Sequence, residues 1–523
     1  MCLLRYCVLL FSVYFLVKVF IDDRFKILFK MTDKYSEDFA DRVAKLSISK
    51  FMSLGKTGKP KENTEWTLLA CILQLEDGNM QVVSLGTGSK CIGASQLTGT
   101  GDILHDSHAE VVARRAFVLY LLEQLDRAVN GQDSLFQWLE GKFVVREGIS
   151  FHFYVSHTPC GDASIFQKQK WVEYHGDCLN TSDVQCENPE NSQEYVIHTH
   201  PANFEQVSNS LMGPHKDEDE FEQPPKRLKK SSFSSSANAL KSETEELSPE
   251  NRSIEKGDSN FEAVSKLEHA VKQDIHRTGA KTVAGEQEDP RLPGADYHVT
   301  GVLRTKPGRG DPTLSMSCSD KIFKWTVLGI QGALLMVFLK RPVYLETITI
   351  GQCPYSQEAM HRALFGRFET KLKKIKLSEG FRVVTPHLLS SGIAFPFSRD
   401  CITRNSPNPS KVMPSPTCLI WSYTATHKDK HEVATNGRKH GITKKAVGTP
   451  KSWVSICCKS LLLKVQDIGL NNYISMDSLI DYSNNYAEIK AHARNYSQSW
   501  RILKSHVLEN WTVKPNFVKT FKA

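Results

Sequence analysis

Long apolar runs are missing from this chain. The one candidate, residues 7–20 (CVLLFSVYFLVKVF), is interrupted by Lys18 and falls short of the roughly 20 apolar residues that a spanning helix needs. It follows Arg5 as a signal-peptide core would, yet Ile21, Asp22 and Asp23 come next in place of a small-residue cleavage site. Three readings stay open for residues 1–30: translation from Met31, which opens the polar stretch MTDKYSEDF, a gene-model extension, or a signal anchor. Only the anchor would bring a membrane partner. A strong excess of one charge is missing too. Lys and Arg total 66 against 58 Asp and Glu, a net +8 that permits a polyanionic partner without demanding one. Framework-spaced cysteines are absent. The 13 present are odd in number, which speaks against a disulfide-stapled secreted fold. Reduced thiols in a nuclear or cytoplasmic protein fit better, some of them able to bind metal. No internal repeat is visible. With 40% apolar and 24% charged residues, the 523-residue chain is not collagen-like, fully disordered or a polytopic membrane protein.

What is there divides into ordered and polar stretches. Strands are predicted in 65–93, as WTLLACILQL, MQVVSLGTG and KCIG, with Gly86 and Gly88 between the second and third. From Ser107 to about Leu125, Val111, Val112, Phe117, Leu121 and Leu122 recur at helical spacing. Phe143–Ser156 alternates as a strand would, and a turn follows at His157-Thr-Pro-Cys-Gly-Asp162. Residues 177–275 are rich in Ser, Asn, Glu, Lys and Pro and read as a long disorder-prone insertion. Lys226, Arg227, Lys229 and Lys230 within it suit a nuclear-import signal or a solvated linker equally. Beyond the insertion the pattern predicts one helix over Met316–Leu339, a strand over Val343–Ile350 and a basic helix or helix pair over Glu358–Lys376. Residues 395–450 read as loop-rich, and a long C-terminal helix is expected within Tyr482–Lys519, ending near Trp511. The organisation expected is a leader over 1–54 and one domain over 55–523, interrupted by 177–275.

Three segments carry chemistry. His108-Ala109-Glu110 opens a predicted helix, Pro159-Cys160-Gly161-Asp162 follows a β-run, and Ser317-Cys318-Ser319-Asp320 opens another helix. H-x-E with P-C-x-x-C is the pattern of zinc deaminases. One imidazole and two thiolates leave an open position on a tetrahedral zinc, as catalytic sites require. Zinc lowers the pKa of a water bound there, and a nearby carboxylate can take the proton and deliver it to departing ammonia. All three segments are expected at helix N-termini, where the dipole favours thiolate. Ala163 occupies the second cysteine position of the short motif, so the third ligand must come from elsewhere, with Cys318 the best candidate. That disfavours a compact cytidine deaminase. Each segment also has a plain structural reading. Ser107-x-x-Glu110 and Ser317-x-x-Asp320 are possible helix caps, and a lone cysteine is usually a small buried hydrophobe.

SHAEVVARRAF, SHTPCGDASIF and SCSDKIFKWTVLGIQGALL strongly resemble the catalytic domain of the adenosine deaminases acting on RNA. EWTLLA, GTGSKCIG, RTGAK, TKPGRGD and CPYSQEAMHRAL bring the chain nearest to the tRNA-specific branch. The resemblance spans roughly residues 55–520, apart from the insertion. It implies a cytidine-deaminase-like three-layer α/β sandwich with a mixed central sheet of about five strands, two ligand-bearing helices on one face and a C-terminal helical extension. It implies hydrolytic conversion of adenosine to inosine in tRNA, at the adenosine just 3′ of the anticodon of alanine tRNA, by attack on C6 of a flipped-out base. DNA is not an expected partner. By motif position His108, Cys160 and Cys318 would bind zinc and Glu110 would shuttle the proton. Ser89 and Lys90 would contact the substrate nucleotide.

The resemblance also implies a buried inositol hexakisphosphate, held by Arg114, Arg115, Lys321, Lys324, Lys490, Tyr496, Trp511 and Lys514. Cations on ligand-bearing helices are costly to bury unpaired, and a polyphosphate would neutralise several together. The chain departs from the family at His105, usually asparagine, at Lys324, commonly arginine, and at Ile456, where a basic residue is usual and Lys459 comes three later. Ser164 replaces an arginine of the duplex-editing members. About 60 residues precede the first deaminase-like strand, too few for the duplex-binding domains of those members. Other readings are an editor of structured mRNA, a catalytically inactive tRNA-binding paralogue and a free-nucleoside deaminase. The intact Glu110 and ligand set oppose the inactive one.

Overall fold

The computed structural model describes residues 35–168, 274–308, 310–428, 430–471 and 480–522. The apolar run at 7–20, the basic cluster at 226–230 and most of the expected insertion lie outside these residues. Among the described residues no helix is long and apolar enough to cross a membrane.

The centre is a mixed sheet of eight strands. In chain order they are β1 (Leu69–Glu76), β2 (Asn79–Thr87), then, after a short outlying pair β3 (Ser89–Cys91) and β4 (Asp106–His108), β5 (Ser150–Val155), β6 (Thr347–Ile350), β7 (His387–Ser390), β8 (Thr417–Ser422), β9 (Glu432–Thr435) and β10 (Arg438–Lys439). Their order across the sheet is β7-β6-β5-β1-β2-β8-β9-β10. Strand β6 runs parallel to both β5 and β7, and the other pairings are antiparallel. The expected sheet of about five strands is therefore extended by β8, β9 and β10, which come from the stretch read as loop-rich. Short strands separated by polar turns carry too little periodicity to be seen in the sequence.

Side-chain alternation along each strand builds two cores. Ala70, Ile72, Phe153, Val155 and Ile420 face one of them, and Leu69, Cys71, Leu73, Tyr154, Leu419 and Trp421 face the other. The second core is closed by α1 (Glu37–Ser53), which Ser36 caps by accepting from Phe39 N. Its Val43, Ala44, Ile48 and Phe51 are buried there, and Phe51 meets Phe395 and Phe397 edge-on at 5.1 and 5.5 Å. Burial of such a ring contributes about 1.5–3 kcal/mol. This helix lies in the segment read as a leader, yet it forms an outer layer of the sandwich.

The first core is covered by α2 (Ala109–Val129), buried on nearly every side because the sheet lies below it and C-terminal helices lie around it. The single helix expected over Met316–Leu339 is instead α3 (Cys318–Leu328) and α4 (Ala333–Met336). Gly329 and Gly332, at φ 75° and 80°, break the path between them. After α5 (Gln357–Leu364), the C-terminal portion brings α6 (Cys458–Asn471), α7 (Tyr486–Ala491) and α8 (Arg494–His506). The long last helix is thus two helices, parted at His492 and Ala493, and Trp511 falls in the turns beyond. Phe166–Gln167 pairs antiparallel with Ile275–His276. Ile275, placed at the edge of the insertion by composition, belongs to this two-stranded stem.

Candidate active site

His108 ends β4 and caps α2, held by its backbone N–H donating to Asp106 Oδ1 at 3.0 Å. Cys160 sits in the turn after β5, and Cys318 is the first residue of α3. Their ligand atoms all lie within 4.8 Å of one another. Sγ of Cys160 and of Cys318 stand 3.9 and 3.7 Å from His108 Nδ1. The approach of the two cysteines depends on Gly161 at φ 105°, where a Cβ would meet Ser317 Oγ at 2.3 Å. Ser319 N donates to Cys160 O at 3.1 Å, and Cys318 N points at Cys160 Sγ at 3.3 Å. One expectation fails here. Cys160 precedes only a single 3-10 turn, Asp162–Ser164, so an α-helix dipole does not act on it. The N–H of Cys318 at the start of α3 takes that part.

Two thiols this close cannot both ionise unless a cation sits between them. The Cys318 thiol, with Lys306 and His108, holds Cys160 well below the ordinary thiol range. Burial and the Cys160 charge push Cys318 well above it. Burial and Lys306 oppose a charged His108, but Cys160 and Cys91 together lift the imidazole to about 10. This donor set suits a soft divalent ion. Cys91, Asp106 and His108 also come together, but Asp106 is already engaged by two lysines.

Glu110 lies in the first turn of α2, 2% exposed, and its Oε2 has no hydrogen-bond partner. The capping reading does not hold for it, because the N-cap is His108 and no side chain caps there. It does hold at the other helix, where Ser317 Oγ accepts from Asp320 N at 3.2 Å.

Besides Lys321, residues that the sequence did not single out hold this arrangement. Lys306, fully buried, donates to both oxygens of Asp106 at 3.0 and 2.9 Å, and Lys321 also pairs with Asp106. Burial resists a charged Asp106, yet the two ammonium groups keep its carboxyl well below the usual range. Arg362 of α5 clamps the cysteine turn by donating to Asp162 Oδ2 at 2.9 Å and to Ile165 O at 2.7 Å. Arg367 pairs with Asp320 at 2.5 Å, and both are almost fully buried. Arg304 makes a two-pronged pair with Asp289 at 2.8 and 2.6 Å. Arg362 stands in CPYSQEAMHRAL, a segment legible as a motif but silent about its partner.

Two cavities flank the cluster. One, of about 480 Å³, is lined by Ser89 and Lys90 together with Ser107, Pro307 and Asn436. Ser89 lies opposite His108 in the β3–β4 pair. The other, of about 380 Å³, brings together all eight residues expected around a polyphosphate: Arg114, Arg115, Lys321, Lys324, Lys490, Tyr496, Trp511 and Lys514. Lys504 and Lys519 join them, and Asp106 is the one carboxylate of the lining. His105 is there too, its Nδ1 3.1 Å from Lys514 Nζ. Lys459 is not among the lining residues, and Ile456 contributes its carbonyl to Arg115 Nε at 2.7 Å. Burial and mutual repulsion push four of these cations toward neutrality: Arg114 to about 10, Lys490 and Lys514 to about 8, and Lys324 well below its ordinary value. Arg115 is raised instead: burial lowers it, but Cys458 and the other groups beside it together outweigh burial.

Such a sandwich, with a His-x-Glu helix start meeting two cysteines, is the architecture of a nucleobase deaminase. Residues 84–515 match the model of the adenosine-deaminase (editase) domain. The chain is 37% identical to tRNA-specific adenosine deaminase 1 of Mus musculus, over 92% of this chain and 99% of that protein. To the Homo sapiens protein of the same name it is 34% identical over the same shares. To the double-stranded RNA-specific adenosine deaminase of Mus musculus it is 26% identical, over 92% of this chain but 32% of that protein. The chain belongs to the adenosine-deaminase (editase) family and is an enzyme that deaminates adenosine.

Proposed function

We propose that the enzyme is zinc-dependent and converts adenosine to inosine in tRNA, at the adenosine just 3′ of the anticodon of alanine tRNA. The observation that carries the reading is the convergence of His108 Nδ1 and two cysteine sulfurs within 4.8 Å, with the unpartnered Glu110 carboxylate at the same helix start. His108, Cys160 and Cys318 would hold the ion, which when bound would supply Lewis acidity to the attacking water. Glu110 accepts the proton and returns it to the leaving amine. Ser89 and Lys90 face the cavity that receives the flipped-out nucleotide. The tRNA substrate is supported by the relatives named tRNA-specific, which align over almost their whole length. Residence in the nucleus or cytoplasm goes with that substrate.

Inositol hexakisphosphate is the second proposed group, in the cavity of 380 Å³. Eight Lys and Arg side chains against one carboxylate form a donor set that only a polyanion balances. The test is to incubate the purified chain with unmodified alanine tRNA and read inosine next to the anticodon. Conversion there, with zinc and inositol phosphate released on denaturation, is expected. Conversion in long duplex RNA alone, in free adenosine alone, or in nothing would overturn the reading.

A further inference from the structure

Hairpin β9–β10 lies at one end of the sheet, and its Asn436-Gly437 turn lines the cavity that holds Ser89 and Lys90. The turn is fixed in place. Leu104 N donates to Gly437 O at 2.8 Å, and Arg438 pairs with the buried Asp102 at 2.5 Å. From Lys439 the chain then leaves the sheet as a small appendage shaped by two 3-10 turns, Lys444–Ala446 and Pro450–Ser452. Its base is tied down. Ser452 is buried and accepts from Gly448 N at 3.2 Å, and Ser455 N donates to Glu432 Oε2 of β9 at 2.8 Å.

The appendage presents Lys439, Lys444, Lys445 and Lys451, all exposed. No Asp or Glu occurs in 436–452. Among the described residues no carboxylate pairs with any of the four. A built loop that gathers four such ammonium groups directly after the cavity-lining Asn436-Gly437 turn attracts a polyanion with regularly spaced charges. Lysine reads phosphates as point charges, without sequence preference.

We propose that residues 439–451 form a clamp for the phosphodiester backbone of the substrate RNA, holding it beside the cavity while the target base enters. This rests on the RNA substrate proposed above and assigns the part of the surface that grips it.

The test uses the full chain with Lys439→Ala, Lys444→Ala, Lys445→Ala and Lys451→Ala combined. A second variant removes Lys371, Lys373, Lys374 and Lys376, which are equally exposed and line neither cavity. Affinity for labelled alanine tRNA is measured over a salt series, and inosine formation is followed at saturating enzyme. Each lost phosphate contact flattens the dependence of log K on log salt by about 0.7–0.9. The first variant should therefore lose about 2.8–3.6 in slope and bind at least about tenfold more weakly near 0.1 M salt. Its rate at saturation and its melting temperature should match the parent, and the second variant should match the parent throughout. An unchanged slope and affinity in the first variant overturns the proposal. So does an equal loss in the second, or normal tRNA binding with lost binding to polyglutamate, which would mark an acidic-protein surface. If the parent makes no inosine in tRNA, the substrate assignment fails separately, and the slopes are compared on whichever RNA the parent deaminates.

Discussion

Glu110→Gln removes one proton acceptor and leaves the volume of the side chain in place. Glu110 is 2% exposed, its Oε2 has no partner, and the helix start does not use it as a cap. Nothing in the fold therefore depends on its charge. Loss of a positioned acid–base group costs about 10²–10⁴ in rate, equivalent to about 2.7–5.5 kcal/mol in the barrier. Because the fold does not depend on that charge, the variant should melt no lower than the parent. The assay is single-turnover inosine formation on alanine tRNA, with metal content and melting temperature measured on the same preparation. Activity should fall by at least about a hundredfold with metal retained. Parental turnover would refute the role of Glu110. Loss of metal together with activity would refute it too, since it would make Glu110 a ligand.

Three further outcomes are expected. Gly161→Ala places a Cβ 2.3 Å from Ser317 Oγ and 2.5 Å from Ser319 Oγ at a φ of 105°. It should cost about 1–3 kcal/mol and lower bound metal, read by elemental analysis, because the cysteines are pushed apart. Arg367→Met leaves the Asp320 carboxylate, 1% exposed, without its cation. Urea unfolding should report a loss of about 3–5 kcal/mol. Lys490 and Lys514 are held at about 8, chiefly by burial, against an ordinary 10.5. Between those two values the unfolded chain keeps protons that the folded chain has released. Protein stripped of polyanion should therefore gain stability as pH rises from 8 toward 10.5, with the full penalty present below 8. Saturating inositol hexakisphosphate should abolish that slope in thermal melts, and a slope indifferent to it would count against the polyanion.

The local signals are legible in the sequence itself. His108, Cys160 and Cys318 stand in short segments whose spacing carries chemical meaning, and α2 follows from apolar recurrence. Strands β9 and β10, four and two residues long, are too short for a period to be visible. The breaks at Gly329–Gly332 and at His492–Ala493 were overrun because the apolar pattern continues across them.

The amino-acid order alone thus determined which side chains could ligate an ion and which carboxylate stood beside them. These are properties of residue type and near-neighbour spacing. The fold alone decided the partnerships: Asp106 with Lys306, Asp162 with Arg362, and eight Lys and Arg with four aromatic side chains around one cavity. Pairs separated by 200 positions leave no trace in local spacing. Burial, which sets the electrostatic worth of each pair, exists only once the layers have closed.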